Sequence, residues 1–183
     1  MLNNPLFSNF NTICLSSEMK LEFPIITTPV KDDFLTKFQQ LVDSDFKELI
    51  LIAPFVDGQL IQNLMLRFPL SERKLTIVTR YGDLYKKQKK NLNIAVKRLT
   101  KMARKDPTLS QRVIWYVNKR VHAKVFIVNW ESVLFGSQNL TYSALKENYE
   151  LGAYFEDLAQ YKSDLETFVK AVISGSTQTL FPT

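Results

Sequence analysis

Between Glu48 and Phe55 the chain reads ELILIAPF, a continuous apolar run that Pro54 brings to an end. A strand with no polar side has no side for water, so it needs cover on both faces, as inner strands of α/β sheets do. Helical spacing precedes it. From Lys31 to Val42 the apolar residues are Phe34, Leu35, Phe38, Leu41 and Val42, which share one helix face. After it, Asp57 is positioned to cap a helix over Gln59–Arg67. KLTIVTR (Lys74 to Arg80) reads as the next strand, and LNIAVKRLTKMARK as a basic amphipathic helix that stops before Pro107. Four strand-like segments follow: RVIWYV (112–117), HAKVFIV (122–128), SVLFGSQ (132–138) and YELGAYFE (149–156). The segment DLAQYKSDLETFVKAVI closes as a helix with Leu158, Tyr161, Leu165, Phe168, Val169 and Val172 on one side. Strand–helix alternation followed by clustered strands predicts an α/β fold, a mixed β-sheet flanked by helices on both faces.

The 183 residues suffice for one domain with a sizeable core. Residues 1–24 read as an N-terminal extension of mixed composition, with Pro24 and Pro29 marking extended chain. The one cysteine, Cys14, allows no internal disulfide and suits a reducing compartment. The N-terminus lacks the basic and apolar regions of a signal peptide, and no run approaches the ~18 apolar residues of a membrane span. These features predict a cytoplasmic protein without stable membrane association.

The net charge of +6 is unevenly spread. Ten basic residues and one acid lie between Arg80 and Lys105, among them Lys86, Lys87, Lys89 and Lys90. That stretch is +9 and the remainder of the chain −3. Two readings are open: a solvated helix face, or a surface for a polyanion such as a nucleic-acid backbone. Tyr81 and Tyr85 beside the run are candidates for stacking on bases.

The only histidine, His122, stands two residues before Lys124, and the chain reaches Gly136-Ser137-Gln138-Asn139 fourteen residues after the histidine. Residues two apart on a strand share a face. A symmetric reversal about Trp130-Glu131 would set His122 opposite Asn139 and Lys124 opposite Ser137, with Cβ atoms ~5 Å apart. Imidazole, ammonium, amide and hydroxyl would then form one patch. Lysine and asparagine donate to phosphate oxygens, and imidazole serves as nucleophile or as acid and base near neutral pH.

Spelled out, the pattern is His122, Lys124, Asn129, Gly136, Ser137 and Asn139, with an acidic position at Glu150. It resembles the signature of the phospholipase D superfamily, with Asn129 where that signature usually has aspartate. The resemblance covers Val121 to Glu156 clearly and the first strand–helix unit more loosely. It implies an α-β-α sandwich and phosphodiester hydrolysis without metal or other cofactor. It further implies a phosphohistidine intermediate, a second histidine that protonates the leaving oxygen, and a glutamate that orients a histidine. His122, Lys124, Asn139 and Glu150 would be catalytic, Ser137 substrate-binding, and Asn129 and Gly136 supports of the motif. The family mechanism needs two histidines. Small bacterial nucleases of the superfamily carry the signature once and pair two subunits, so this chain is expected to complete its site as a homodimer. The leading expectation is an endonuclease on DNA or RNA, its specificity low or supplied by a protein partner. A phospholipid phosphodiesterase and a catalytically degraded nucleic-acid-binding module are the alternatives.

Overall fold

The computed structural model describes residues 20–28, 31–67, 73–80 and 86–180. Within them nine strands form one mixed sheet. In chain order the elements are β1 (Lys20–Thr28), β2 (Lys31–Asp32), α1 (Asp33–Asp43), β3 (Glu48–Ile52), α2 (Gly58–Arg67), β4 (Lys74–Thr79) and α3 (Lys86–Lys105). Then come α4 (Leu109–Arg112), β5 (Val113–Val117), β6 (Val125–Val128), β7 (Ser132–Gly136), α5 (Tyr142–Lys146), β8 (Glu150–Glu156), α6 (Lys162–Ser174) and β9 (Thr177–Leu180). A short 3₁₀ turn, Ala159–Tyr161, leads into α6. The strands lie in the order β2-β1-β8-β7-β6-β3-β4-β5-β9. β3, β4 and β5 are parallel, and the other pairs are antiparallel.

The apolar run at Glu48 becomes β3, paired with β4 on one side and β6 on the other. Its side chains alternate between two cores. Leu49 and Leu51 join Phe34 and Phe38 of α1, Ile61 of α2, Leu99 of α3 and Leu145 of α5. Ile50 and Ile52 join Val169 of α6. Helices therefore cover both faces, as the continuous apolar run requires, but unequally. Five helices crowd the first face, and α6 with its leading turn is the helical cover of the second.

Among the described residues, that imbalance leaves part of the second face without helical cover. Phe155 pairs with Leu21 of β1 and with Val133 of β7, and its ring stacks on Phe135 at 5.5 Å. Around this stack Leu21 is 42 %, Phe135 38 % and Leu151 49 % exposed, and Phe23 of β1 is exposed as well.

Local signals act as expected in several places. Asp57 caps α2 by accepting from the Gln59 N–H at 2.8 Å. α3 ends at Lys105, with one residue, Asp106, between it and Pro107. Trp115 is fully buried, and its indole N–H donates to Thr79 Oγ1 at 3.1 Å, which removes the cost of burying it.

Three sequence expectations are corrected. The N-terminal extension stops at Lys20, because residues 20–28 pair with β8 as a strand; residues 1–19 lie outside the described residues. The segment 122–128 pairs only from Val125 onward. Phe168 does not share the burial of Val169 but is 36 % exposed.

Candidate active site

β3, β4 and β5 run in one direction, and β6 runs against them with Val125 opposite Ile52. The residues entering β6 therefore stand at the C-terminal end of the parallel strands. β7 ends there at Gly136, level with Gly152 of β8, and β8 starts there at Glu150, level with Thr27 of β1. His122, Lys124, Ser137, Asn139 and Glu150 thus come to one end of the sheet. α3 also begins at this end, since its C-terminus leads through α4 into the start of β5. Lys86, Lys87, Lys89 and Lys90 form its first turns, and Lys90 is exposed. Tyr81 and Tyr85 lie outside the described residues.

His122 is exposed and Lys124 half-buried. The Gly136 N–H donates to the Lys124 carbonyl at 3.3 Å. This pairing differs from the expected one by a single residue. In the β6–β7 hairpin Val125 lies opposite Phe135 and Val128 opposite Ser132, so Lys124 faces Gly136 rather than Ser137, and the line from His122 leads to Gln138 rather than Asn139. The cause is the turn. Glu131 N–H donates to the Val128 carbonyl at 3.0 Å, with Asn129 and Trp130 both in the left-handed region at φ 54° and 61°. Pairing resumes only at Ser132, so three residues form the loop where the symmetric reversal had two. A one-residue slip exchanges faces. The expected four-group patch therefore does not form in that register.

Ser137 instead turns to β8. Its hydroxyl donates to the Glu150 carboxylate and accepts from the Leu151 N–H at 3.1 Å. The Ser137 N–H donates to the Leu151 carbonyl at 3.0 Å. The other oxygen of Glu150 accepts from Asn148 Nδ2 at 3.1 Å. Serine and glutamate of the motif thus form one hydrogen-bonded unit, held by both backbone groups of Leu151. Asn139 carries a buried Oδ1 without a hydrogen-bond partner among the described residues. It precedes Leu140, which the Phe55 carbonyl and the Asp57 N–H tie to the loop after β3.

Gln138 is the residue that the sequence did not mark. Its side chain is fully buried, with both amide atoms unpartnered among the described residues, beneath the glycine pair Gly136 and Gly152. A Cβ on Gly136 would lie 2.3 Å from Gln138 Oε1 and 2.4 Å from the Leu151 carbonyl oxygen. Only glycine leaves the space that this folded-back amide occupies, which is the physical reason for glycine before Ser137.

Asn129 stands at the other end of the hairpin. Its Oδ1 accepts from the N–H groups of Lys47 at 2.8 Å and Glu48 at 3.1 Å, and its own N–H donates to the Glu48 carbonyl at 2.9 Å. The side chain acts here through an oxygen that accepts twice, which aspartate also supplies. Among the described residues no three His, Cys, Asp or Glu side chains gather as a metal-holding group, and no helix is long and apolar enough to cross a membrane.

A family model described as "Cardiolipin synthase, PLD-like domain" matches residues 38–171. Phosphatidylserine synthase from Haemophilus influenzae Rd KW20 superposes with a TM-score of 0.70 at 14% identity, over 90% of this chain and 41% of its own. This chain thus spans about two fifths of that protein's length. Nuc, a phospholipase D family member from Salmonella typhimurium, gives 0.64 at 13% identity over 89% of this chain and 99% of its own. NucT from Helicobacter pylori gives 0.58 at 16% identity over 88% and 100%. At these identities the likeness is one of fold. No curated protein sequence matches the chain.

Proposed function

Because the chain belongs to the phospholipase D-like family of phosphodiesterases, we propose that it is an endonuclease that cleaves DNA or RNA without a metal, at a site shared by two copies. The observation that carries this reading is the single imidazole. His122 stands at the end of the sheet to which Lys124, Asn139 and the hydrogen-bonded pair Ser137 and Glu150 also come.

In this reading one His122 attacks phosphorus and the P–O bond to the leaving oxygen breaks. The partner subunit's His122 gives that oxygen its proton. The same imidazole, now neutral, takes a proton from water as the water oxygen attacks phosphorus. The P–N bond breaks and free His122 returns. Lys124 and Asn139 stabilise charge on the non-bridging oxygens, where a fixed donor is worth ~10²–10³-fold in rate. Ser137 and Glu150, hydrogen-bonded to each other, orient the site. The first turns of α3, with Lys86, Lys87, Lys89 and Lys90, bind the polyanion backbone.

Pairing is supported by the bare sheet face around Leu21, Phe135 and Leu151, which adjoins the site through Glu150–Leu151. Exposed apolar surface that is continuous with an incomplete site suits a twofold contact. The experiment is turnover by purified heterodimers of wild-type and His122→Ala subunits, with EDTA present throughout. A shared site leaves the heterodimer nearly inactive. Half activity, an active monomer, or activity that returns only with Mg²⁺ would overturn the reading.

The family description and the phosphatidylserine synthase likeness favour a second reading, a phospholipid phosphodiesterase. Parallel assays on single- and double-stranded DNA, RNA and an anionic phospholipid separate the two.

A further inference from the structure

The turn that delivers His122 is built around one buried side chain, Asn118, which is 8 % exposed. The Asn118 N–H donates to the Thr79 carbonyl at 2.8 Å, and the Asn118 carbonyl accepts from the Val121 N–H at 3.2 Å. Asn118 Oδ1 accepts from the Arg120 N–H at 2.9 Å, and Nδ2 donates to the Val172 carbonyl at 2.8 Å. The turn is thereby tied to β4 and to the last part of α6. Gly175 lies against it, where an added Cβ would come 3.3 Å from Asn118 Nδ2.

A turn held this firmly presents its two central residues, Lys119 and Arg120, in a defined place. Both are exposed. Neither is in an ion pair among the described residues. They stand on an open groove of ≈ 790 Å³ that also takes in His122, Phe168, Ala171 and Gly175 and has no acidic residue among the described residues of its lining. That volume lies within the ~300–1,000 Å³ of small-ligand sites. Its wall on α6 is apolar and small except for Phe168. The exposed ring of Phe168 is the departure from the helix's expected buried side.

We propose that this groove is the subsite for the nucleotide that flanks the scissile phosphate, with its base against Phe168 and its own phosphates on Lys119 and Arg120. Two cations without carboxylate partners, one exposed ring and the candidate nucleophile in one groove match an alternating chain of phosphates and bases. A lone phosphate has no use for the ring. This inference rests on the nuclease reading, because it presumes that His122 works on a polynucleotide.

The test measures binding by full-length protein carrying His122→Ala, which separates binding from turnover. The probes are fluorescein-labelled single-stranded oligothymidylates of two, four and eight nucleotides and, separately, phosphatidylglycerol vesicles. Adding Lys119→Ser with Arg120→Ser is expected to weaken octamer binding about tenfold. It should also flatten the plot of log affinity against log salt by ~1.4, two single-strand phosphate contacts. Phe168→Leu, which keeps apolar bulk but loses the ring face, is expected to weaken binding about tenfold without changing the salt slope. Lys47→Ser with Lys162→Ser, at the opposite end of β6, is the charge-matched control and should stay within about twofold of the parent. An unchanged octamer affinity and slope in the Lys119/Arg120 variant would overturn the subsite. So would an equal loss in the control, or a loss confined to vesicles. Failure of the nuclease reading shows separately, as absence of diester turnover by the protein that retains His122.

Discussion

The two ends of the β6–β7 hairpin carry the same sequence motif and treat it in opposite ways. At the turn, polar groups are satisfied within the protein. Asn129 Oδ1 accepts two backbone N–H groups, and Trp130 Nε1 donates to Glu48 Oε2 at 2.7 Å. At the open end His122 is exposed and Asn139 Oδ1 is buried without a partner among the described residues. Folding makes use of the first set. The second set is the one that, in the proposed function, would meet the substrate. In the proposed function the difference divides the motif into scaffold and chemistry, with Asn129, the one departure from the family signature, on the scaffold side. The oxygen that does the bonding at position 129 is common to asparagine and aspartate.

Substitutions at the two ends sharpen that comparison, because open-end changes should cost turnover and turn-end changes stability. The largest effect is expected from His122→Ala. Diester turnover should fall at least ~10³-fold, since both nucleophile and acid are lost, while the melting temperature stays within about 2 °C of the parent. Residual activity above a hundredth of wild type would remove His122 from the chemistry.

Lys124→Ala comes next, with a loss of ~10²-fold in kcat. The Lys124 contact with Gly136 is made by the backbone, so the hairpin should survive, as circular dichroism can check. A melting temperature that falls as far as in a turn-end variant would reassign the lysine to the scaffold.

Asn129→Ala is expected to reverse the pattern. It removes an acceptor from two N–H groups and puts alanine at φ 54°, costing ~2 kcal/mol. For a chain of this size that is roughly 4–8 °C in melting temperature. Activity per folded molecule should remain within about threefold of wild type; a hundredfold loss in fully folded protein would break the division between the two ends.

The smallest effect belongs to Asn129→Asp. Both amide bonds can be kept, and the change in stability should be under ~0.5 kcal/mol with activity equal to or above wild type. A clear loss of stability would show that the Nδ2 group matters in a way that the hydrogen bonds do not reveal.

How far the sequence could be read varies along the chain for identifiable reasons. The inner strands, the helices over 33–43 and 58–67 and the part of α3 from Leu92 onward were legible because each carries a strong apolar period or run, whereas the lysine-rich start of α3, Lys86 to Asn91, has none and was not read as helix. β9, with the sequence TQTL, has no such pattern and becomes a strand only because β5 offers it an edge. β1 was masked by Pro24, and the register shift between Glu22 and Ile25 is where β8 accommodates it. Asn118 and Gln138 gave no signal, since neither belongs to a spaced pattern and each acquires its role from residues far away in sequence.

The chemical groups of the candidate site could be read directly from the chain: one imidazole, one nearby ammonium, a serine, two amides and a glutamate, on a chain whose apolar runs demand a two-faced sheet. These are properties of residue identity and local period, and they survive any error of register. Tertiary structure decided which of those groups meet. Two left-handed residues in a hairpin turn moved the pairing by one, set Lys124 against Gly136 and gave Ser137 to Glu150. Backbone dihedrals at Asn129 and Trp130 are held by contacts with Lys47 and Glu48, more than eighty residues away in sequence. No reading of the local sequence contains those contacts, and a sheet converts that local choice into the facing of every side chain beyond it.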